Sequence, residues 1–424
     1  MTTSHSPLAG WAIAAAVMTL VLAGCSSSID TTGPTVLTTS TIDSRGGIAR
    51  GYPTETDVTS PLVISALGPN PIPVTGTDGM LHVAYEIEVL NFSPRPATIT
   101  KVETLAGGPD GTVVSTLDQG QVSERTILVG NFAWAPFTEI PVGRTVLMVL
   151  DDEYESPDDV PSVVTHRLTA TFGQATPEDA ASAARYPDNV TQFGGTVMTS
   201  TDLPVVIGPP LAGDSWVVGD GCCGLSQHRA GMMAVGGRIN GTERFAVDWL
   251  RIDPDAAPLI RSRGDGSKNE DYFAYGAPLL AVANGTVVAV VSGEKDQVPQ
   301  QVPKDMPFDQ LGGNYVIIDI GNGNYAFYAH LKPGSTTVNV GDLVTTGQVI
   351  GNLGNSGNSS EAHLHFHVSR AAVPLSSDNV PYEIDSFTFV GSADTGALVK
   401  GPNEGDRTDQ LPLDGAVVNF PPLP

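Results

Sequence analysis

The amino-acid sequence predicts an all-β dominated protein, with an N-terminal immunoglobulin-like β-sandwich followed by a second domain built on an antiparallel β-sheet. The 424 residues include 47 Gly and 33 Pro, a composition that favours turns over long helices. Short segments alternate apolar and polar residues, which is the period of a strand with one buried face. Turn-forming residues separate these segments, as expected for many short strands.

The composition indicates a globular, acidic protein. Hydrophobic residues make up 41% of the chain and charged residues 16%, and the length allows two or three domains with ample buried core. A net charge of −25 repels nucleic acid, so we expect no DNA or RNA partner. We interpret the acidity as serving solubility; steering of a cationic substrate is the alternative.

Residues 1–25 are predicted to be a secretion signal. The apolar run from Leu8 to Leu22 is too short to be a comfortable permanent membrane span. It ends at Leu22–Cys25, and Leu-Ala-Gly-Cys resembles the bacterial lipobox, whose Cys is lipidated and anchors the mature chain to the membrane. No Lys or Arg precedes Arg45, so the usual positive segment is missing. An ordinary cleaved signal with an incidental Cys25 is the alternative.

Residues 26–58 are predicted to form a flexible tether because they are rich in Ser and Thr. The β-sandwich is predicted over residues 59–201. In Leu81–Val89 every second residue is apolar, which indicates a half-buried strand, and residues 145–150 and 163–172 read as further strands. His82 and His166 lie in these strands, and we interpret both as structural residues.

The connector over residues 174–205 is predicted to hold one short helix near residues 177–184 and a short strand at residues 195–198. The second domain is predicted over residues 206–390, and residues 391–424 are predicted to be a loosely ordered tail because they are rich in Pro, Gly and Asp. Cys222 and Cys223 are adjacent. A disulfide between neighbours is uncommon, and free thiols or a partner elsewhere are the alternatives.

Five of the eight His residues fall in the second domain, and such clustering with carboxylates is typical of a metal site. Along a strand through residues 362–368, His363, His365 and His367 share one face because side chains alternate. Neighbours on that face lie about 7 Å apart. One His can therefore bind a metal while another reaches a substrate.

A second His ends a neighbouring strand. His330 closes Tyr328–Leu331, which follows a strand at residues 314–320 and the hairpin signal Gly321–Gly323. Taken alone, His330 would be an ordinary residue at the end of a strand.

Several motifs in order resemble the lysostaphin-type zinc metallopeptidases, the LytM or M23 family. The resemblance covers about a third of the chain, from Ser226 to Arg370. It is carried by Tyr275–Pro278, Ala281–Val287, Tyr328–Leu331, Val340–Asp342, Gly347–Gly351, Gly354–Gly357 and His363–Phe366. It implies a lysostaphin-like antiparallel β-sheet peptidase domain that holds one zinc ion per chain.

The resemblance also implies roles for individual residues. His365, the second His of His-x-His, is a zinc ligand, and His363 and His330 act on the attacking water or on the transition-state oxyanion. The family's upstream His and Asp correspond to His228 and Asp248. Twenty positions separate these two, where the family has a few, so a Gly-rich insert must bring them together. His367 stands where the family often has Glu or Gln, and we expect it to support the metal site from behind the ligands.

These residues predict a zinc-dependent endopeptidase that hydrolyses amide bonds in the peptide part of bacterial peptidoglycan. Zinc with three protein ligands keeps a position open for water and activates it, and His residues can move protons. A lipid-anchored protein outside the cell membrane is in the compartment of that substrate.

Three alternatives stay open at this point. A non-catalytic relative could bind the cell wall or regulate another hydrolase. A lipoyl- or biotinyl-like carrier also contains sequences like Val340–Asp342 and Gly347–Gly351, but no exposed Lys at a hairpin tip is found. The N-terminal domain could be an adhesion or spacer module.

Overall fold

The computed structural model describes residues 60–130, 137–393, 396–401 and 403–423. The predicted signal segment with Cys25 and the predicted tether at residues 26–58 lie outside the described residues. Within the described part, no helix is both long and apolar enough to cross a membrane.

The described residues of the N-terminal region form nine strands and two short helices. The helices are α1 (Gln119–Glu124) and α2 (Ala180–Ala183), with a 3-10 turn at Pro157–Asp159. The strands are β1 (Leu62–Ala66), β2 (Val74–Thr75), β3 (Leu81–Asn91), β4 (Ala97–Ala106), β5 (Thr112–Asp118), β6 (Thr126–Leu128), β7 (Thr145–Tyr154), β8 (Val163–Phe172) and β9 (Asn189–Met198). Strand β9 begins earlier than the predicted short strand and pairs with β8 along its length.

These strands form two antiparallel sheets that face each other. One sheet has the order β1-β3-β7-β6, with β2 beside β3, and the other has the order β5-β4-β8-β9. This is the immunoglobulin-like arrangement of strands A, B, E and D against C, F and G, with one extra strand beside C. Apolar side chains from both inner faces form a single core, so the predicted immunoglobulin-like sandwich is confirmed.

Strand β3 is buried on both faces, and the prediction that it is half-buried is wrong. Tyr85 and Ile87 point into the sandwich core as the alternation predicts. On the opposite face, His82 and Glu86 are also buried. The second region packs against this face, which a pattern read from one strand cannot reveal.

The two His residues of the sandwich have buried polar partners. His82 lies between Asp151 and Asp78, at 2.9 and 3.2 Å, and His166 is 2.8 Å from the Tyr85 hydroxyl. Burial opposes a charge on His82, but the two carboxylates outweigh it and raise its pKa to about 10. Both rings are held by the fold, in keeping with the structural role predicted for them.

The second region contains α3 (Gln227–Ala230), 3-10 turns at Asn269–Asp271 and Phe308–Gln310, and sixteen described strands. The strands are β10 (Val205–Ile207), β11 (Gly213–Gly219), β12 (Met233–Val235), β13 (Arg238–Asn240), β14 (Val247–Arg251), β15 (Pro278–Leu280), β16 (Gly285–Val291), β17 (Tyr315–Gly321), β18 (Asn324–Ala329), β19 (Leu343–Val344), β20 (Val349–Asn352), β21 (Leu364–Ser369), β22 (Tyr382–Ile384), β23 (Phe387–Ser392), β24 (Gly405–Arg407) and β25 (Ala416–Phe420).

One antiparallel sheet of ten strands organises this region, in the order β19-β16-β17-β18-β21-β14-β11-β25-β23-β24. Strands β15 and β20 pair beside it, β12 and β13 form a hairpin, and β10 pairs with β22 in parallel. The predicted hairpin at Gly321–Gly323 joins β17 and β18, and Asn322 and Gly323 have the positive φ angles that such a tight turn requires.

The C-terminal segment belongs to the sheet, so the prediction of a loosely ordered tail at residues 391–424 is wrong. Strand β25 lies between β11 and β23 and pairs with both. Val417 and Val418 are fully buried, as is Leu411 before them. Four of the Pro and Gly residues that suggested a loose tail lie between these strands: Gly396, Gly401, Pro412 and Gly415. The second domain therefore extends beyond its predicted end at residue 390.

We predict that Val418→Ala lowers the free energy of unfolding by about 2 kcal/mol, because it removes two methyl groups from a filled core. Val340→Ala is the matched control, since Val340 is 64% exposed. Chemical denaturation measures both. A Val418→Ala effect as small as that of the control would contradict the placement of β25 inside the sheet.

Candidate metal centre

The pairing of β14 with β21 places two predicted metal-facing residues side by side. Asp248 lies directly opposite His365 in this antiparallel pair, so their side chains project from the same face of the sheet. On its other edge β21 pairs with β18, where Ala329 lies opposite His365 and His330 follows. Three central strands thus converge on one point.

Strand β21 shows the predicted separation of its two faces. Leu364, Phe366 and Val368 are fully buried in the core of the second region. The three His residues lie on the other face and are also largely buried, beneath the loops that surround the site. His363 lies just before the strand, and His365 and His367 lie within it.

His228 reaches the same point from α3, and the insert between it and Asp248 folds into the β12–β13 hairpin. The turn of this hairpin has positive φ angles at Gly236 and Gly237, which glycine adopts without steric cost. Ser226 caps α3 by accepting a hydrogen bond from the Arg229 amide. The hairpin returns the chain close to its starting point, so the long separation in sequence is short in space.

Three side-chain atoms form a compact triangle. His365 Nδ1 lies 3.1 Å from His228 Nε2 and 3.1 Å from Asp248 Oδ1, and His228 Nε2 lies 3.3 Å from Asp248 Oδ1. Ligands at about 2.0–2.1 Å from a tetrahedral metal ion are separated by about 3.3 Å. The spacing of the three donors therefore fits one divalent metal ion.

Hydrogen bonds behind the triangle select the ring nitrogens that face it. His228 Nδ1 lies 2.9 Å from the Asp220 carbonyl oxygen, to which it can donate, leaving Nε2 as the free donor atom. His365 Nε2 lies 3.0 Å from His367 Nδ1, so the opposite nitrogen of His365 points into the triangle. His367 thus stands behind His365, as predicted.

Glu243 offers a second carboxylate near the same rings. Together with His228 and His365 it could also form a three-residue metal group. However, its Oε1 approaches His365 at Nε2, at 3.5 Å, and that nitrogen faces His367. Asp248 Oδ1 lies 3.1 Å from His365 Nδ1 and 3.3 Å from His228 Nε2, the two ring nitrogens that face the triangle. We therefore assign Asp248, rather than Glu243, to the donor set.

The charge of Asp248 shows how strongly this point favours a cation. Burial would raise the pKa of its carboxyl, but His363 and His228 hold it well below its usual range. In return, although burial opposes the charge on His228, Asp248 raises the pKa of this ring to about 10. A buried carboxylate that draws protons onto its neighbours can equally be neutralised by a metal ion.

His330 and His363 lie beside the triangle. His330 has a φ of +64°, a backbone conformation that ends strand β18. Its ring centre lies 4.7 Å from that of His363. Each ring can donate from Nδ1 to a carbonyl oxygen, His330 to Ser356 at 2.7 Å and His363 to Glu361 at 2.9 Å. The Nε2 atom of each is then free, and that of His363 lies 3.4 Å from Asp248 Oδ2.

The two rings differ in basicity. Burial together with the charges of His363 and His365 keeps the pKa of His330 well below its usual value, so this ring is neutral. Burial also opposes a charge on His363, but Asp248 outweighs it and raises the pKa of this ring. Two neighbouring imidazoles with different proton affinities can accept and donate protons in a reaction.

A cleft of about 470 Å³ opens above these residues. Its walls include the apolar side chains of Phe308, Leu311, Phe327 and Leu375. An ion pair at 3.0 Å between Arg261 and Glu361 lies at its edge. An open cleft with apolar walls and convergent polar groups on its floor suits a peptide-sized ligand.

The two Cys residues of the second domain do not enter this site. Cys222 and Cys223 form a disulfide with each other across a cis peptide bond, the alternative that the sequence made least expected. Within the described residues, the donor set therefore consists of imidazole and carboxylate groups.

Sequence reasoning missed Asp220 and Glu243. Asp220 acts through its backbone carbonyl, which any residue type could supply, so no sequence signal exists for it. Glu243 lies five residues before Asp248 in a turn, and neither a strand nor a helix period places it beside His365. Its charge and its closeness to Asp248 were the only available signals.

Comparisons with known proteins show what the second domain is similar to. Residues 267–377 match the model of Peptidase family M23. The match includes His330, His363 and His365 and begins after His228 and Asp248. The β12–β13 hairpin and the pairing of β14 with β21 bring these two upstream residues to the site.

One curated relative and two solved structures illustrate the likeness. Peptidoglycan DD-endopeptidase ShyC of Vibrio cholerae is 29% identical over 128 residues, 29% of this chain and 25% of the relative, so this chain spans about a quarter of the relative's length. The catalytic domain of lysostaphin from Staphylococcus simulans has a TM-score of 0.21 and 21% identity, covering 37% of this chain and 80% of that one. A zinc-containing peptidase from Vibrio cholerae has a TM-score of 0.25 and 14% identity, covering 71% and 80%.

We predict that the metal-stripped protein binds about one equivalent of Zn²⁺, used as the probe ion, and that Asp248→Asn weakens this binding at least tenfold, because the amide carries no charge. Asp309→Asn is the matched control, since Asp309 is an exposed carboxylate of the same cleft. Competition with a chromogenic chelator measures both affinities. Equal affinities for the two variants would remove Asp248 from the donor set.

Proposed function

We propose that the peptidase family M23 domain carried by this chain is a zinc-dependent endopeptidase that hydrolyses amide bonds in the peptide part of bacterial peptidoglycan. The observation that carries the proposal is the triangle of His228, Asp248 and His365 on the floor of a peptide-sized cleft, with His330 and His363 beside it. The family match and the name of the curated relative support the reaction and the substrate class.

The donor set supports zinc as the metal. Two imidazoles and one carboxylate are a usual set of ligands for zinc in hydrolytic enzymes, where a fourth position stays open. Zinc supplies a Lewis acid that polarises a carbonyl and makes water nucleophilic near neutral pH. The cleft lies on the open side of the triangle, so a substrate has access to that position.

His363 and His330 supply proton transfer and hydrogen bonds. Each holds Nδ1 on a backbone carbonyl and keeps Nε2 free. His363, which has the higher proton affinity of the two, is suited to donate from Nε2 to the oxyanion that develops on the scissile carbonyl or to the leaving amine. His330, whose neutral ring keeps its Nδ1–H on the Ser356 carbonyl, presents the lone pair of Nε2 and is suited to accept a proton from the attacking water.

The N-terminal sequence agrees with a substrate that lies outside the cell membrane. We propose that residues 1–25 export the chain and that lipid on Cys25 anchors it to the outer side of the cell membrane. The tether predicted at residues 26–58 would then let the peptidase domain reach the wall. Both segments lie outside the described residues, and the sequence pattern alone supports this part of the proposal.

We predict that His363→Ala keeps its zinc but cleaves purified peptidoglycan at least about 100-fold more slowly, because a ring that acts on the reacting atoms is lost while the donor triangle remains. Release of muropeptides measures the rate, and zinc content is measured on the same sample. Asp309→Asn, within the same cleft, is expected to retain the wild-type rate. If zinc-loaded wild type leaves every wall preparation intact, a non-catalytic role in wall binding or hydrolase regulation replaces this proposal.

We also predict that Cys25→Ala moves the protein from the membrane fraction to the soluble extracytoplasmic fraction, because the acylated thiol is lost. Immunoblotting of fractionated bacteria measures the distribution, with Cys222→Ala/Cys223→Ala as a control that keeps Cys25. An unchanged distribution of Cys25→Ala would show that the protein is not anchored through this residue.

A further inference from the structure

One carboxylate of the sandwich contacts both chain segments that carry the upstream metal-facing residues. Glu86, on β3, accepts hydrogen bonds from Arg229 and Arg244 of the second region. Arg229 is the residue after His228, and Arg244 lies four residues before Asp248. The two arginines thus connect both ends of the insert to the same group.

The contacts are short and use both carboxylate oxygens. Arg229 Nη2 lies 2.7 Å from Glu86 Oε1, and Arg244 Nη2 lies 2.6 Å from Glu86 Oε2. Arg244 Nε adds a second contact to Oε2 at 2.9 Å, so this guanidinium is bound at two points. Arg229 also donates to the carbonyl oxygens of Tyr85 on β3 and Leu150 on β7, at 3.1 and 3.3 Å.

All three charged groups are removed from solvent. Glu86 and Arg229 are fully buried, and Arg244 is nearly so. A buried ion pair stays in place only if both partners remain, because an unpaired buried charge is strongly unfavourable. Moving either arginine away from Glu86 would leave a buried charge without its partner. The segments that carry the arginines are therefore held in place against the sandwich.

Each arginine lies close in sequence to a metal-facing side chain, so the position of the arginine limits where that side chain can lie. In α3, successive side chains point about 100° apart, so Arg229 can enter the sandwich while His228 faces the cleft. Arg244 leads through a tight turn, in which the Ala246 amide donates to the Glu243 carbonyl at 3.0 Å, into β14 and Asp248.

We propose that Glu86 is a positioning residue of the metal centre, through which the N-terminal sandwich sets the separation of His228 and Asp248. The inference rests on the metal centre of the proposed function. It gives the sandwich a role inside the catalytic unit instead of that of a spacer, and it explains how two ligands on either side of a long insert are held at bonding distance.

The first test measures zinc affinity in full-length variants. Glu86→Gln keeps the size of the side chain and removes its charge, and we expect zinc to bind about 10–100-fold more weakly. The matched control is Glu103→Gln, because Glu103 is a buried carboxylate on the opposite sheet of the sandwich, paired at two points with Arg167. The control should keep the wild-type affinity. Equal affinities of both variants would overturn the inference.

A conservative variant separates positioning from general stability. Glu86→Asp keeps the charge on a shorter side chain, and we expect its zinc affinity to lie between those of wild type and Glu86→Gln. If Glu86→Asp and Glu86→Gln bind zinc equally well or equally poorly, the carboxylate does not act through its charge and the inference is wrong.

The second test uses wild type alone, so it holds even if Glu86→Gln does not fold. Coupling between two sites is reciprocal, so zinc must strengthen the contact between Glu86 and the arginines. We expect amides in residues 81–88 to exchange hydrogen at least about tenfold more slowly in the zinc-loaded than in the metal-stripped protein, while residues 97–118 of the opposite sheet show no change. Equal exchange of residues 81–88 in both states would overturn the inference.

Failure of the proposed function gives a different result. If wild type does not bind zinc, the metal centre itself is wrong. If wild type binds zinc without cutting peptidoglycan, the peptidase proposal fails, while the role of Glu86 is still decided by the affinities and the exchange rates.

Discussion

The pairing of β14 with β21 is the constraint on which the site depends. It sets Asp248 opposite His365 within a ladder, so the two donors cannot drift apart without breaking hydrogen bonds at the centre of the sheet. The next strand, β18, brings His330 to the same edge. Below this edge, Leu364 and Phe366 anchor β21 in the core, which gives the polar face a rigid base. A one-residue shift in register would turn His365 into the core and Leu364 toward the cleft.

The remaining donor, His228, is not on the sheet and needs a different support. Its short helix has too few residues to be stable by itself, so tertiary contacts must hold it. These come from the cap at Ser226, from the Asp220 carbonyl and from the buried charges around Glu86. The metal centre therefore combines a rigid element, the sheet, with an element that is held by the adjoining sandwich. The sandwich and the second region therefore share a buried and charged interface.

The sequence predicted what depends on local periodicity. The two faces of β21, the hairpin at Gly321–Gly323 and the sandwich with its strands β3 and β8 follow from alternation and turn residues. It did not predict the burial of Glu86 or the place of β25, because both depend on partners distant in the chain. For the site, the His residues of β21 were recognisable from their spacing. His228 approaches Asp248 because the insert folds back on itself, and alternation within single strands does not indicate this. Glu243 lies in a turn, where side chains follow neither the strand period nor the helix period.

We propose that His228, Asp248 and His365 hold one metal ion across that insert. A crystal of the zinc-loaded protein, measured above and below the zinc absorption edge, locates the ion directly. The account predicts a single strong anomalous peak about 2 Å from His228 Nε2, Asp248 Oδ1 and His365 Nδ1. A peak bound by Glu243 in place of Asp248, or one that His228 does not reach, would contradict it.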